Sequence, residues 1–164
     1  MSLPQDFKSL DFLAAAASQQ IASGISIKVK NNAKVEAAAL GNLATKALGV
    51  LQEQGVYALF LFLLSRSGKE TAVNNMTKEE YIACKLTVEL LNLLKEEELA
   101  APGIAYKEQV TVEEINSSKE EILKHFLQPR GILENLDKLL LIRDLYEQTL
   151  IYTRYAAKAR EEGK

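Results

Sequence analysis

Residues 56–66 read Val-Tyr-Ala-Leu-Phe-Leu-Phe-Leu-Leu-Ser-Arg, and the first nine of them are apolar without a break. A bilayer-spanning helix needs about 20 such residues, so this run is too short to cross a membrane. A helix that is apolar all round is normally buried in a core. The segment is therefore expected to be the central helix of the domain. Gly55 before it suits the C′ position of a preceding helix, and Ser67-Gly68 after it supply the stop.

Working outward, apolar spacing predicts more helices on both sides. A first helix fits about residues 5–22, with Phe7, Leu10, Phe12 or Leu13, and Ile21 on one stripe and Gly24 at its end. Residues 25–30 alternate with period two and predict a short extended piece. Asn31 and Asn32 offer an N-cap for a second helix running to Gln54. Its stripe is Val35, Ala38 or Ala39, Leu43, Ala47 or Leu48, and Leu51. Gly41 and Gly49 lie inside it and cost roughly 1 kcal/mol each relative to Ala. Close approach by a neighbouring helix is the expected reason for both.

Downstream, Thr77 and Glu80 form a capping-box pattern opening a helix to about Ala100, ended by Pro102-Gly103. Residues 103–116 read as a connector or short hairpin. Ser117 or Ser118 caps a shorter helix over 118–128, broken by Pro129-Arg130-Gly131. A last helix of about eight turns spans Ile132 to Arg160. Its expected packing stripe is Leu136, Leu139 or Leu140, Ile142, Tyr146, Thr149, Thr153 and Ala156. The fold class is all-α: a compact bundle of five to six helices with a long C-terminal helix, in a single domain over 1–164, with 100–131 a connector and short-helix insertion.

Composition narrows the function classes. At 48% apolar the chain has material for a core, which excludes wholesale disorder. A single Cys excludes a disulfide framework, and one Cys with one His excludes a Cys/His zinc site. No secretory pattern opens the chain, so a reducing cytoplasm is the expected compartment. His125, the only histidine, would have to serve any Ser-His-Asp or Cys-His arrangement, and it sits beside apolar Phe126 and Leu127. Cys84 lies among Tyr81, Ile82 and Val88, where a lone cysteine is a small core hydrophobe. The carboxylate pairs Glu79-Glu80, Glu113-Glu114 and Glu120-Glu121 fall near helix starts, where the dipole favours them. Gly68-Lys69 lacks the earlier glycine of a phosphate loop. The expectation is a protein without catalytic residues, metal or cofactor.

What remains is charge. Residues 79–121 carry eleven Glu against four Lys, whereas 1–50 carry five Lys against three carboxylates and 138–160 five basic residues against two. Two basic ends thus flank an acidic middle, a layout that can steer a polyanion to one face. At 100° per residue, Arg143, Glu147, Arg154 and Lys158 fall within a stripe of roughly 60° on the last helix, with Tyr155 beside Arg154. Such a stripe can follow a phosphate backbone; the competing explanation is an ordinary solvated face, which Glu147 favours. Lys28, Lys30, Lys34 and Lys46 extend the candidate nucleic-acid-binding set if the two regions pack together.

Residues 141–159, Leu-Ile-Arg-Asp-Leu-Tyr-Glu-Gln-Thr-Leu-Ile-Tyr-Thr-Arg-Tyr-Ala-Ala-Lys-Ala, resemble the last helix of the small helical subunit, the fifth, of the Cmr complex of type III-B CRISPR effectors. Leu141, Arg143 and Asp144 match that family's leucine, basic and acidic positions. Arg154, Tyr155 and Ala156 match its later basic-aromatic-alanine run. Gln54-Gly55 through Phe62 and Ser65-Arg66 are similar to its glycine, apolar run and stop. The family's tryptophan falls here on Ile151, its preceding basic residue on Thr153, and the connector over 100–131 is longer. The resemblance implies a non-catalytic antiviral subunit that stacks along an RNA-guided complex and contacts guide and target RNA. Its partners would be RAMP-type and large subunits, with self-association through 56–64 as a further expectation. The alternatives are an all-α protein–protein adaptor, the small subunit of another CRISPR effector type, and an enzyme with a cofactor pocket between helices.

Overall fold

The structure, a computed structural model, describes residues 8–162. The expected first helix therefore loses residues 5–7, Phe7 among them, to the part outside the described residues. Among the described residues the chain forms six helices of nine residues or more and one single turn: α1 Leu10–Ser23, α2 Ala37–Gln54, α3 Val56–Arg66, α4 Lys78–Leu93, the turn α5 Val112–Ile115, α6 Lys119–Leu127 and α7 Leu136–Glu162. One isolated antiparallel bridge, Lys28 to Lys34, is the β-type pairing among them. The all-α class and the long C-terminal helix stand.

α7, about 40 Å long at 1.5 Å per residue, lies along both α1 and α2. α3 packs on α2 and α4, and α6 covers α3. α2 and α7 run antiparallel: Gly41, near the start of α2, approaches Ala157, while Gln52, near its end, meets Arg143. The centre is aromatic. Phe60 of α3 lies 4.5 Å from Phe126 of α6 and 5.8 Å, edge-on, from Tyr146 of α7. These three rings join three helices from distant parts of the chain, and each is fully buried.

Several elements form as the residues direct. α3 begins and ends where Gly55 and Ser67 place it. Gly55 adopts φ 95°, ψ −173°, a conformation essentially reserved for glycine, and its N–H donates to the Leu51 carbonyl. The Thr77–Glu80 capping box closes in both directions, at 3.2 Å and 2.9 Å. Gly41 is a close approach: a Cβ there would stand 3.6 Å from that of Ala157. Gly49 is not, with nothing within 4 Å.

Elsewhere tertiary demands override local signals. Asn31 and Asn32 do not cap α2. Both take left-handed angles, φ 61° and 59°, and make the tip of a small loop instead. Asn tolerates this region because its short side chain bonds locally. Val29 and Val35 are both buried on extended flanks, so the helix starts only after Val35, at Ala37. α4 stops at Leu93 rather than about Ala100. Continuing would place Glu96, Glu97 and Glu98 at the negative end of the helix dipole; they leave it, and a separate 3₁₀ turn at Glu97–Leu99 buries Leu99. α7 starts at Leu136, after a 3₁₀ turn at Ile132–Glu134 that buries Ile132.

The expected stripes also shift. Leu136 is 66% exposed rather than packed, and of the alternatives Leu139 and Leu140 it is Leu139 that packs against the core while Leu140 is 50% exposed. Arg143 already lies beside Gln52, so α7 before that point runs past the end of α2. Leu145, Leu150 and Ala157 join Ile142, Tyr146, Thr149 and Thr153 in the buried face. α3, apolar on every side, is buried on one side only, through Val56, Leu59, Phe60, Leu63 and Leu64. Leu61 stands 43% exposed.

Candidate nucleic-acid interface

The seven candidate cations separate into three places. Lys28, Lys30 and Lys34 belong to the loop between α1 and α2. There the Val29 N–H donates to Ala33 O at 2.8 Å and the Val35 N–H to Ile27 O at 3.0 Å. Those two bonds flank the Lys28–Lys34 bridge, which makes it a narrow, non-hydrogen-bonded pair with Cβ atoms about 5 Å apart. Two lysines set directly opposite repel each other. Lys30 sits at the tip, its N–H tied to Met76 O at 2.9 Å. All three side chains are exposed, while Val29 and Val35 hold the loop to the core.

The second place is a groove of about 490 Å³ between the first half of α2 and the last turns of α7. α2 supplies Ala37, Ala38, Gly41, Asn42 and Thr45. α7 supplies Arg154, Tyr155, Lys158 and, at the far end, Glu161. The groove exists because small residues face each other: Gly41 and Ala157 let the helices meet without filling the space above. Lys46 lies one turn beyond Asn42 on the same side of α2 and is exposed. Lys34 precedes Ala37 by three residues, so the lysine loop leads into this end of α2.

Arg143 occupies the third place, away from the others. Eleven residues before Arg154, it is about 16 Å along the helix. Its guanidinium donates to the Gln52 carbonyl at 2.8 Å, one of the last four carbonyls of α2, which have no helical partner. The expected continuous stripe therefore divides, with Arg143 spent on the α2 terminus and Arg154 and Lys158 open to solvent.

Five cations elsewhere are ion-paired among the described residues. Lys8, Arg66, Lys78, Lys85 and Lys107 each reach a carboxylate within 4.0 Å, through Glu96, Glu79, Glu36, Glu89 and the pair Glu114 and Glu121. Among the described residues, Lys28, Lys30, Lys34, Lys46, Arg154 and Lys158 reach none. In the acidic middle Lys85 and Lys107 meet carboxylates, whereas Lys95 and Lys119 donate to the Glu108 and Gly68 carbonyls.

The reactive residue types are engaged structurally. His125 Nε2 donates to Ile104 O at 2.9 Å, and its Nδ1 accepts from Gln128 Nε2 at 3.1 Å. Gln128 also reaches Gly103 O, so the imidazole pins the connector to the end of α6. Cys84 is buried, and burial pushes its thiol up to about 12. Among the described residues no three His, Cys, Asp or Glu side chains come together as a metal site. No helix among them is long and apolar enough to cross a membrane.

Two features carried little sequence signal. The groove depends on which faces of α2 and α7 meet; only the small residues Ala37, Ala38 and Gly41 hinted at it. Asn116, in the connector, bonds Ser67 O and Glu70 O through Nδ2 at 2.8 and 2.6 Å and accepts from Ser67 Oγ at 2.7 Å. It thereby closes the C-terminal end of α3. The chain matches no protein-family model, no curated protein and no solved structure.

Proposed function

We propose that the chain is the small, non-catalytic helical subunit of a type III-B CRISPR (Cmr) RNA-targeting effector, acting in the cytoplasm in antiviral defence. The observation that carries this reading is the clustering of exposed cations around one loop and groove. Six exposed basic residues gather at the α2 N-terminal end and along the groove and reach no carboxylate among the described residues. Unneutralised Lys and Arg suit a phosphate backbone, with sequence-independent and salt-sensitive contacts. An RNA-guided complex requires this kind of binding, because base pairing reads the sequence. The Leu141–Ala159 segment that resembles the Cmr subunit contributes Arg154, Tyr155 and Lys158 to the groove.

Protein partners have a different surface available. Leu61 on the outer side of α3, with half-buried Tyr57 and Phe62, and Leu136 with Leu140 at the start of α7 expose apolar area away from the basic groove. RAMP-type and large subunits, or a second copy, would cover these. The same residues favour the second reading, an all-α protein–protein adaptor. Co-purification of the tagged chain from its host, with and without ribonuclease, tests both. Recovery of RAMP-type proteins with short guide RNAs supports the subunit; recovery with an unrelated protein and no RNA supports the adaptor.

A further inference from the structure

The groove offers more than charge. Its crest is Tyr155, the most exposed large hydrophobic side chain among the described residues at 72%. Tyr81, Tyr146 and Tyr152 each donate a hydroxyl hydrogen bond, to Gly24 O, Leu90 O and Asp11 respectively. Tyr155 makes none among the described residues. Its ring also borders a second depression of about 380 Å³ on the α1 side, formed with Ala15, Ser18, Gln19, Tyr152 and Ala156. The ring therefore stands as a ridge between two hollows, with Arg154 next to it and Lys158 one turn from Arg154.

We propose that this groove takes one nucleotide of single-stranded RNA, its base stacked on Tyr155 and its phosphate held by Arg154 and Lys158. This rests on the RNA-contact reading above and adds to it a base-holding subsite. Stacking on an aromatic ring is open to every base and needs no sequence readout, so it suits a surface that must accept any RNA. It requires an unstacked base, which a single strand presents and a duplex does not. The groove's volume lies in the range of small-ligand sites, roughly 300–1,000 Å³. Asn42 and the Thr45 oxygen supply polar contacts on the α2 wall. The Thr45 hydroxyl donates to Gly41 O at 2.8 Å, so toward a ligand it acts as an acceptor. Glu161, about one turn beyond Lys158, repels a second phosphate at that end of the groove.

Fluorescence anisotropy with a labelled oligouridylate of about a dozen nucleotides, and with an RNA duplex of the same length, tests the proposal on the full chain at low salt. Tyr155→Ala is expected to weaken single-strand binding about tenfold while leaving the salt slope unchanged. Tyr155→Phe keeps the ring and is expected to keep the affinity. Arg154→Gln with Lys158→Gln is expected to weaken binding and flatten the salt slope. If the charge variant loses affinity but Tyr155→Ala matches the parent, or if the duplex binds as tightly as the single strand, the subsite is overturned and backbone contact stands. If the parent does not bind, or neither variant changes binding, both the subsite and the RNA-contact reading fall. Tyr155 is exposed, so loss of fold does not confound the readout, and the helical CD spectrum verifies this.

Discussion

The Arg143 guanidinium sits 2.8 Å from the Gln52 carbonyl and closes the C-terminal end of α2 against the first third of α7. A cation that the one-dimensional pattern groups with Arg154 and Lys158 is thus a structural cap. Arg143→Ala should lower unfolding free energy by about 1 kcal/mol, the usual net value of such a bond. Arg154→Ala, exposed and without an ion pair, should stay within about 0.5 kcal/mol. Urea denaturation of the two variants checks the contrast. Equal effects would contradict the division of the stripe.

The same division separates the cations in RNA binding. Each phosphate-contacting Lys or Arg removed should reduce the salt slope by about 1. Arg154→Gln and Lys158→Gln should each do so, and Arg143→Gln should leave the slope where it was. Titrations of a labelled single strand at several salt concentrations read this directly.

Two buried groups tie stability to alkaline pH. Burial holds the Cys84 thiol up at about 12, against an ordinary 9.0, with Lys119 opposing. Burial also raises the Tyr146 phenol well above 10.0. Both are neutral in the folded chain over a range where the unfolded chain ionises them. Their contribution is therefore complete below about pH 9, and it is lost as pH rises through the folded values. Urea midpoints should be flat from pH 7 to about 9 and fall above it. At pH 8 a thiol-specific disulfide reagent should modify Cys84 only as fast as the protein opens; rapid modification of the native protein would show the thiol accessible.

The helical class was legible because patterns of 3.6-residue period and their stops are local. Gly55, Thr77 with Glu80, and Ser67 act through their own or adjacent turns, and each set its boundary. Where a boundary depended on a distant partner, local signals failed. Asn31 and Asn32 read equally well as a cap or a left-handed tip, and the burial of Val29 and Val35 decided between them. Leu136, Leu139 and Leu140 were all open to packing by period, and only Leu139 meets the core. In the candidate site, residue types and charge asymmetry were visible beforehand. Which cations shared a groove was not, because that required the antiparallel pairing of α2 with α7.

Gly49 tests the same distinction from the other side. Its helical position is open, with nothing within 4 Å of where a methyl group would stand, so no packing reason opposes a side chain. Gly49→Ala should stabilise the chain by about 0.5–1 kcal/mol through helix propensity and a less flexible unfolded state. A measured loss would mean that the glycine is needed for something outside the isolated chain, such as a partner helix approaching α2.

Asn116 carries the last prediction. It spends both amide hydrogens on the carbonyls of Ser67 and Glu70 and its oxygen on the Ser67 hydroxyl. Ser67 is fully buried, and its hydroxyl also reaches Leu64 O at 3.0 Å. Lys119, three residues on, donates to Gly68 O. The C-terminal end of α3 is therefore closed by side chains about 50 residues away in sequence. Asn116→Ala strips all three bonds and leaves part-buried carbonyls without these donors, a loss of roughly 2–3 kcal/mol. Asn116→Asp has nearly the same shape but cannot donate, and it sets a carboxylate against two carbonyl oxygens, so it should be no better than Ala. Ser67→Ala loses the hydroxyl alone and should cost about 1 kcal/mol. Urea unfolding of the three variants distinguishes a donor network from simple packing, since packing alone would rank Asp above Ala.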